Sequence, residues 1–204
     1  MPAVSIMKLF KSHEPNVFHY TTTVCFNRVP VFRSEIACEL FIEALLDTRK
    51  KCKFKLIGYV VMPDHVHLIL NPLNRDIGVV MRHLKSTSAR LILDWLRQAN
   101  HLASLRKLAL AVPQARSHTH SLWLKDFSSI DLFSPRFIRQ KLNYIHLNPV
   151  RASLCKHPAE WKWSSYRAYL PHAPGSVPIE IDWQGYWKPE EFSEMIQSAG
   201  NARL

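Results

Sequence analysis

Acidic residues are scarce in this chain of 204: 16 Asp and Glu stand against 27 Lys and Arg, a formal net charge of +11 at pH 7. That imbalance favours a polyanionic partner, nucleic acid before others. Long apolar runs are missing. The longest clean one, Leu56 to Met62, is far too short to span a bilayer, so no membrane partner is expected. The opening stretch, MPAVSIMKLFKSHE, has no apolar core of signal-peptide length, and a cytoplasmic, nucleoid-associated protein is expected. Cysteine occurs only at Cys25, Cys38, Cys52 and Cys155, with no Cys-x-x-Cys pair. This excludes zinc-ribbon and disulfide-framework classes and predicts free thiols in a reducing compartment. Internal repeats and low-complexity tracts are absent. With 47% hydrophobic residues, wholesale disorder is excluded as well. What is plentiful is aromatic: six Trp, six Tyr and ten Phe supply core pieces and platforms for base stacking.

Residues 18 to 26 (FHYTTTVCF), rich in aromatic and β-branched side chains, predict a strand. A helix follows with Ser34 as N-cap and Ile36, Leu40, Phe41, Ala44 and Leu45 as its apolar stripe. Its cationic end, Arg49, Lys50, Lys51 and Lys53, suits the helix dipole and reads as a solvated terminus. Lys55 to Met62 and His65 to Leu70 predict two strands of a hairpin, with Pro63-Asp64 as the turn. A second amphipathic helix spans 76 to 98, with Val79, Val80, Leu84, Leu91 and Trp95 on its apolar side. Arg82, Lys85, Arg90 and Arg97 lie on the polar side. A short helix within 101–112, a loop over 113–121 and a strand over 122–127 come next. A helix from Pro135 to Leu147 should end at Pro149, since the residue before proline is pushed from helical geometry. Beyond Ser153 the text is Trp- and Pro-rich, with a final short helix from Pro189. The order β-α-β-β-α-β predicts an α+β fold: a ferredoxin-like split-βαβ antiparallel sheet with helices on one face. A further helix and a C-terminal extension are added to it.

His65 and His67 are two apart in a predicted strand, so both rings leave the same face. Such a pair is two-thirds of a divalent-metal site, yet by itself it is common. A second pair, His118 and His120, lies in a predicted loop without a third ligand and is set aside. Tyr144 and Asn148, four apart, share a helical face if helicity persists to Asn148; on their own they read as a core tyrosine and a helix cap. Combined with the two histidines they acquire chemistry. Two imidazoles and an amide oxygen beside a phenol suit phosphodiester transesterification, with the phenol attacking phosphorus. A free phenol titrates near 10, so it needs electrophilic help near neutrality.

The motifs MPDHVHLIL and YIHLNPVRA resemble the IS200-like Y1 (HUH) transposases, and specifically the REP-associated tyrosine transposases. HYTTTVCFNRVPVF, MRHLKS and WKWSSY are similar to that group as well, so the likeness runs in order over residues 17 to 170. The resemblance makes His65-Val66-His67 the histidine motif, Tyr144 the catalytic tyrosine and Asn148 the third metal ligand. It implies a Mg²⁺- or Mn²⁺-dependent endonuclease and strand transferase acting on single-stranded hairpin DNA through a 5′-phosphotyrosine. Residues 1–152 would form the catalytic domain and 153–204 an extension packing on it. Candidate DNA contacts are Lys85 and Arg151, inside matched motifs, and Arg82, Arg90, Arg136 and Arg139. The chain departs from the family at Ser153 and Cys155, where Gly and Val are usual, and at residues 99–120, which look inserted. The resemblance leaves a monomer and a homodimer open. Two rival readings stand beside the nuclease: a domesticated hairpin-binding protein with little or no cleavage, and a small metal hydrolase using only the histidines.

Overall fold

A computed structural model describes residues 17–111, 119–170 and 178–182. His118 and the helix expected from Pro189 lie outside them. Strands β1 (Phe18–Val24), β2 (Lys55–Met62), β3 (His65–Asn71) and β4 (Ser128–Leu132) form one sheet in the order β2-β3-β1-β4, every neighbouring pair antiparallel. Helices α1 (Glu35–Cys52), α2 (Ile77–Gln98), α3 (Leu102–Leu108) and α4 (Pro135–Arg151) complete the α+β fold. Among the described residues no helix is long and apolar enough to cross a membrane. All four cysteines are free thiols.

Each helix starts and stops where local chemistry dictates. Ser34 enters α1 in extended geometry, and α1 closes on Lys53, whose left-handed φ of 55° lets its N–H reach the Arg49 carbonyl at 2.9 Å. Asp76 caps α2 by accepting from the Gly78 N–H, and Ser134 caps α4 by accepting from that of Phe137. The α4 helix does not stop before Pro149, as the sequence predicts, but runs through it to Arg151. Proline forfeits one hydrogen bond there, close to the terminus where little is lost. Beyond it Leu154 N–H donates to the Pro149 carbonyl and Ser153 N–H to that of Val150, both at 2.9 Å, with Ser153 at φ 55°. This paired closure is a Schellman motif, whose left-handed position normally falls to glycine.

The two faces of the sheet carry different layers. Val66, Leu68 and Leu70 of β3 join Phe41, Leu45, Met81 and Leu84 in a core beneath α1 and α2. On the other face Ile57, Val60, Met62 and Ile69 meet Ile138, Leu142 and Ile145 of α4. A register shift between Leu56 and Gly58 places the glycine directly below α4. A Cβ there would sit 2.6 Å from Leu142 Cδ1 and 3.0 Å from Ile145 Cδ1, so any larger residue would have to displace these two methyls of α4. Ile36 and Val79, expected in apolar stripes, are instead exposed at the first turns of their helices.

The strand predicted over 122–127 is not one. Leu122 and Trp123 plug the α1/α2 core: the Trp123 ring lies 5.6 Å from that of Phe32, and its Nε1 donates to Ser88 Oγ at 3.0 Å. The true fourth strand is the polar SSIDL that follows. Residues 161–165 run along the outer edge of β2. Val61 N–H donates to the Trp163 carbonyl at 2.8 Å, Trp161 Nε1 to that of Val61 at 3.0 Å, and Tyr59 N–H to Ser165 Oγ at 2.9 Å. That cover satisfies an edge that would otherwise invite foreign strands.

Candidate active site

The site begins with the hairpin turn. Neither Pro63 nor Asp64 has a positive φ, so the turn is not of the primed type that matches strand twist by itself. It is held from outside: the Cys25 N–H donates to the Asp64 carbonyl at 2.8 Å and the Phe32 N–H to that of Pro63 at 3.0 Å. With the turn fixed, strand alternation puts His65, His67 and Ile69 on the α4 side and their neighbours in the opposite core. The rings of His65 and His67 lie 4.8 Å apart, edge to face.

Each histidine has one ring nitrogen engaged by protein. His65 Nδ1 donates to Asp64 Oδ1 at 2.6 Å, and Arg28 Nη1 donates to the other carboxylate oxygen at 3.0 Å. Burial pushes the Asp64 carboxyl up, but the hydrogen bonds and charges of His65 and Arg28 outweigh this and hold it below its usual range. The Arg28 side chain is 71% exposed, so this ion pair orients more than it stabilises. His67 Nδ1 shares hydrogen bonds with the hydroxyls of Tyr20 (2.9 Å) and Thr22 (2.8 Å). Burial, aided by the charges of His65 and Lys141, pushes the His67 imidazole down to about 3 and keeps it neutral. Burial likewise drives the Tyr20 phenol up to about 12, against a Thr22 hydrogen bond that lowers it. Tyr20 therefore stays a phenol.

The α4 helix brings the remaining groups. The Tyr144 ring is 40% exposed, 5.9 Å from that of His67 and 6.2 Å from that of Tyr20. The Arg151 guanidinium stands 5.4 Å from the centre of the Tyr144 ring, and Lys141 Nζ stands 5.7 Å from it. Because α4 persists past Pro149, Lys141, Tyr144, Asn148 and Arg151 form one stripe at spacings of three and four. His146, between Tyr144 and Asn148 in sequence, faces elsewhere: it is buried against Tyr166 and Tyr169, with Nε2 2.8 Å from Ser165 Oγ.

The donor set suits a divalent cation. Engagement of Nδ1 on both histidines leaves Nε2 as the nitrogen able to ligate; the carboxylate behind His65 fixes its tautomer, and the hydroxyls behind His67 hold its ring in place. Asn148 Nδ2 is buried and, among the described residues, has no hydrogen-bond partner. A 180° turn of the amide puts Oδ1 in that position, where a ligand would satisfy it. Tyr20, Thr22, Asp64 and Lys141 were not singled out in the sequence. Asp64 had a signal, a carboxylate next to the His-x-His pair, and Lys141 had helical spacing from Tyr144. Tyr20 and Thr22 lie 47 and 45 residues from His67 and carried none.

The expected DNA contacts divide. Arg151 belongs to the tyrosine stripe. Arg136 is exposed and Arg139 half-buried, both toward the start of the same helix. Arg82, Lys85 and Arg90 ride on α2, across the sheet from Tyr144. There α2 and residues 120–125 border an open groove of about 530 Å³, lined by Lys85, Arg90, Arg97 and Lys125 among others. Lys85 is no simple phosphate ligand: its ammonium donates to the carbonyls of Leu124 and Lys125 at 2.8 Å and of Asp126 at 3.3 Å. It ties the plug segment to α2. His120, of the dismissed pair, is on the groove wall, its Nδ1 2.8 Å from Thr119 Oγ1.

Residues 16–107 match the family model described as Transposase IS200 like. Over that span, just under half of the chain, the sequence is similar to the IS200-like transposases. The matched span includes His65 and His67 and stops before Tyr144 and Asn148, but full-length relatives continue the likeness. The REP-associated tyrosine transposase of Escherichia coli K12 is 22% identical over 149 residues, covering 72% of this chain and 73% of that protein. A relative from Haemophilus influenzae is 22% identical over 172 residues, 82% of this chain and 87% of its own. The fold also superposes on a REP-associated tyrosine transposase solved bound to a REP hairpin. The TM-score is 0.56 at 16% identity, over 89% of this chain and 93% of that one. That likeness shows the fold alone.

Proposed function

We propose that this protein cleaves and rejoins single-stranded DNA next to hairpins of the REP kind, with Tyr144 as nucleophile. The observation that carries the reading is the half-exposed Tyr144 ring against His67, flanked by Arg151 and Lys141, beside the His65–His67 pair. Tyr144 Oη attacks phosphorus and the bond from phosphorus to the 3′ oxygen breaks. The phenol proton passes to water and the departing oxygen takes one from water, leaving a 5′-phosphotyrosine and a free 3′ hydroxyl. Attack by a later 3′ hydroxyl reverses these changes and restores the phenol, with no need of ATP. His65, His67 and Asn148 would hold Mg²⁺ or Mn²⁺, which when bound supplies a Lewis acid for a non-bridging phosphate oxygen. Asp64, Tyr20 and Thr22 keep the two imidazoles oriented. Arg151 favours an anionic phosphate over the tyrosine face. The groove along α2, with Arg90 and Lys125 exposed, suits the duplex stem.

The test is a covalent-adduct assay with labelled hairpin oligonucleotides from the protein's own genomic neighbourhood, with Mn²⁺. A shifted, metal-dependent band from the wild type, absent from Tyr144→Phe, is the expected result. Hairpin binding without any adduct would replace the nuclease by a binding protein.

A further inference from the structure

Lys141 is the cation of the α4 stripe that lies outside the motif YIHLNPVRA. It is half-buried, and its ammonium stands 5.0 Å from the Tyr20 ring, 5.5 Å from the Phe137 ring and 5.7 Å from the Tyr144 ring. Among the described residues no carboxylate pairs with it, although ion pairs are made elsewhere by Arg28, Arg49, Lys51 and Arg97. Three ring faces position an ammonium without neutralising it. They also shield it from water, which strengthens its pull on a second charge. An aliphatic or neutral residue would fill this space at lower desolvation cost, so a charge kept here points to an anion that arrives later.

Resting on the proposed function, we infer that Lys141 is the phosphate-binding cation of this site, contacting the DNA phosphate that Tyr144 attacks. The placement suits the task. Lys141 is one turn before the tyrosine and Arg151 two turns after it, so the two cations bracket the phenol from opposite ends. A phosphate seated at the Tyr144 hydroxyl meets a point charge from one side and a planar guanidinium from the other. During attack, negative charge gathers on the non-bridging oxygens, and an ammonium already in place needs no reorganisation to meet it.

The test compares Lys141→Gln and Lys141→Arg, each with Tyr144 intact and as Tyr144→Phe, after melting curves show that the variants fold. In the Tyr144→Phe background the readout is the slope of log K against log salt for a hairpin with a single-stranded flank. Lys141→Gln should flatten it by about 0.7, one phosphate contact on single-stranded DNA, and Lys141→Arg should restore it. With Tyr144 intact, Lys141→Gln should slow adduct formation on the order of a hundredfold, with most of the rate recovered by arginine. If glutamine leaves the slope and the rate unchanged, Lys141 only packs and the inference falls. If the slope flattens but wild type makes no adduct, the phosphate contact stands and the nuclease reading fails.

Discussion

The two faces of strand β3 are built from alternate residues of one segment and do opposite things. Val66, Leu68 and Leu70 enter a dry core under α1 and α2, where nothing polar is needed from them. His65 and His67 leave the other face into a layer that is apolar only where Ile69 meets α4 and polar at the hairpin end. The difference shows how a small domain can carry a polar cluster: one face supplies stability, so the other can keep imidazoles, phenols and a half-exposed tyrosine together. The rigid element is shared, and its period of two separates the tasks.

The comparison can be broken first at Gly58. Gly58→Val adds bulk against Leu142 and Ile145, so it should cost about 1–3 kcal/mol in urea unfolding. It should also lower adduct formation, because α4 carries Tyr144, while the α1/α2 core is untouched. A variant with full activity and unchanged stability would show that α4 does not depend on this close approach.

A second strain on the comparison is acid. Burial holds the His146 imidazole down to about 3, against 6.5 when unfolded. Below pH 6.5 the unfolded chain therefore binds a proton that the native chain refuses. The stability present above 6.5 is lost as pH falls towards 3, by up to roughly 1.4 kcal/mol per pH unit. Denaturant titrations at pH 7 and pH 5 should show a smaller difference for His146→Gln than for wild type. Equal differences would mean that the ring between Tyr166 and Tyr169 takes up protons freely. The smallest effect belongs to Ser153→Gly, which relieves a left-handed residue and should raise stability by about 0.5 kcal/mol. A loss of stability in thermal melting would contradict that account of the α4 terminus.

The elements that declared themselves in sequence were those with strong local signals. Ser34, Asp76 and Pro135 sit at helix starts, Pro63-Asp64 interrupts two apolar runs, and the period of two put His65 and His67 on one side. What misled were segments whose state tertiary context decides. LWLKDF has strand composition but is pulled into the core by Trp123, whereas the polar SSIDL has weak strand composition and pairs because β1 offers a free edge. Pro149 is tolerated since it falls in the last turn of α4. Within the candidate site, type and spacing put the two histidines on one strand face and Tyr144 and Asn148 on one helix face, and only their combination suggests chemistry. Tyr20 and Thr22 were not, because a strand-to-strand register brings them to His67 and no local pattern encodes it. Lys85 shows the reverse limit: its charge was visible, but its use in tying residues 124–126 to α2 is a fact of packing.

The division of labour on β3 is tested most directly by two adjacent substitutions, each measured for urea unfolding and for Mn²⁺-dependent adduct formation. His67→Gln should stay within about 1 kcal/mol of wild type yet lose adduct formation by more than about a hundredfold. Leu68→Ala should lose about 2–5 kcal/mol, while its folded fraction forms adduct at close to the wild-type rate. If His67→Gln unfolds as readily as Leu68→Ala, or cleaves DNA as wild type does, the two faces do not divide stability from chemistry.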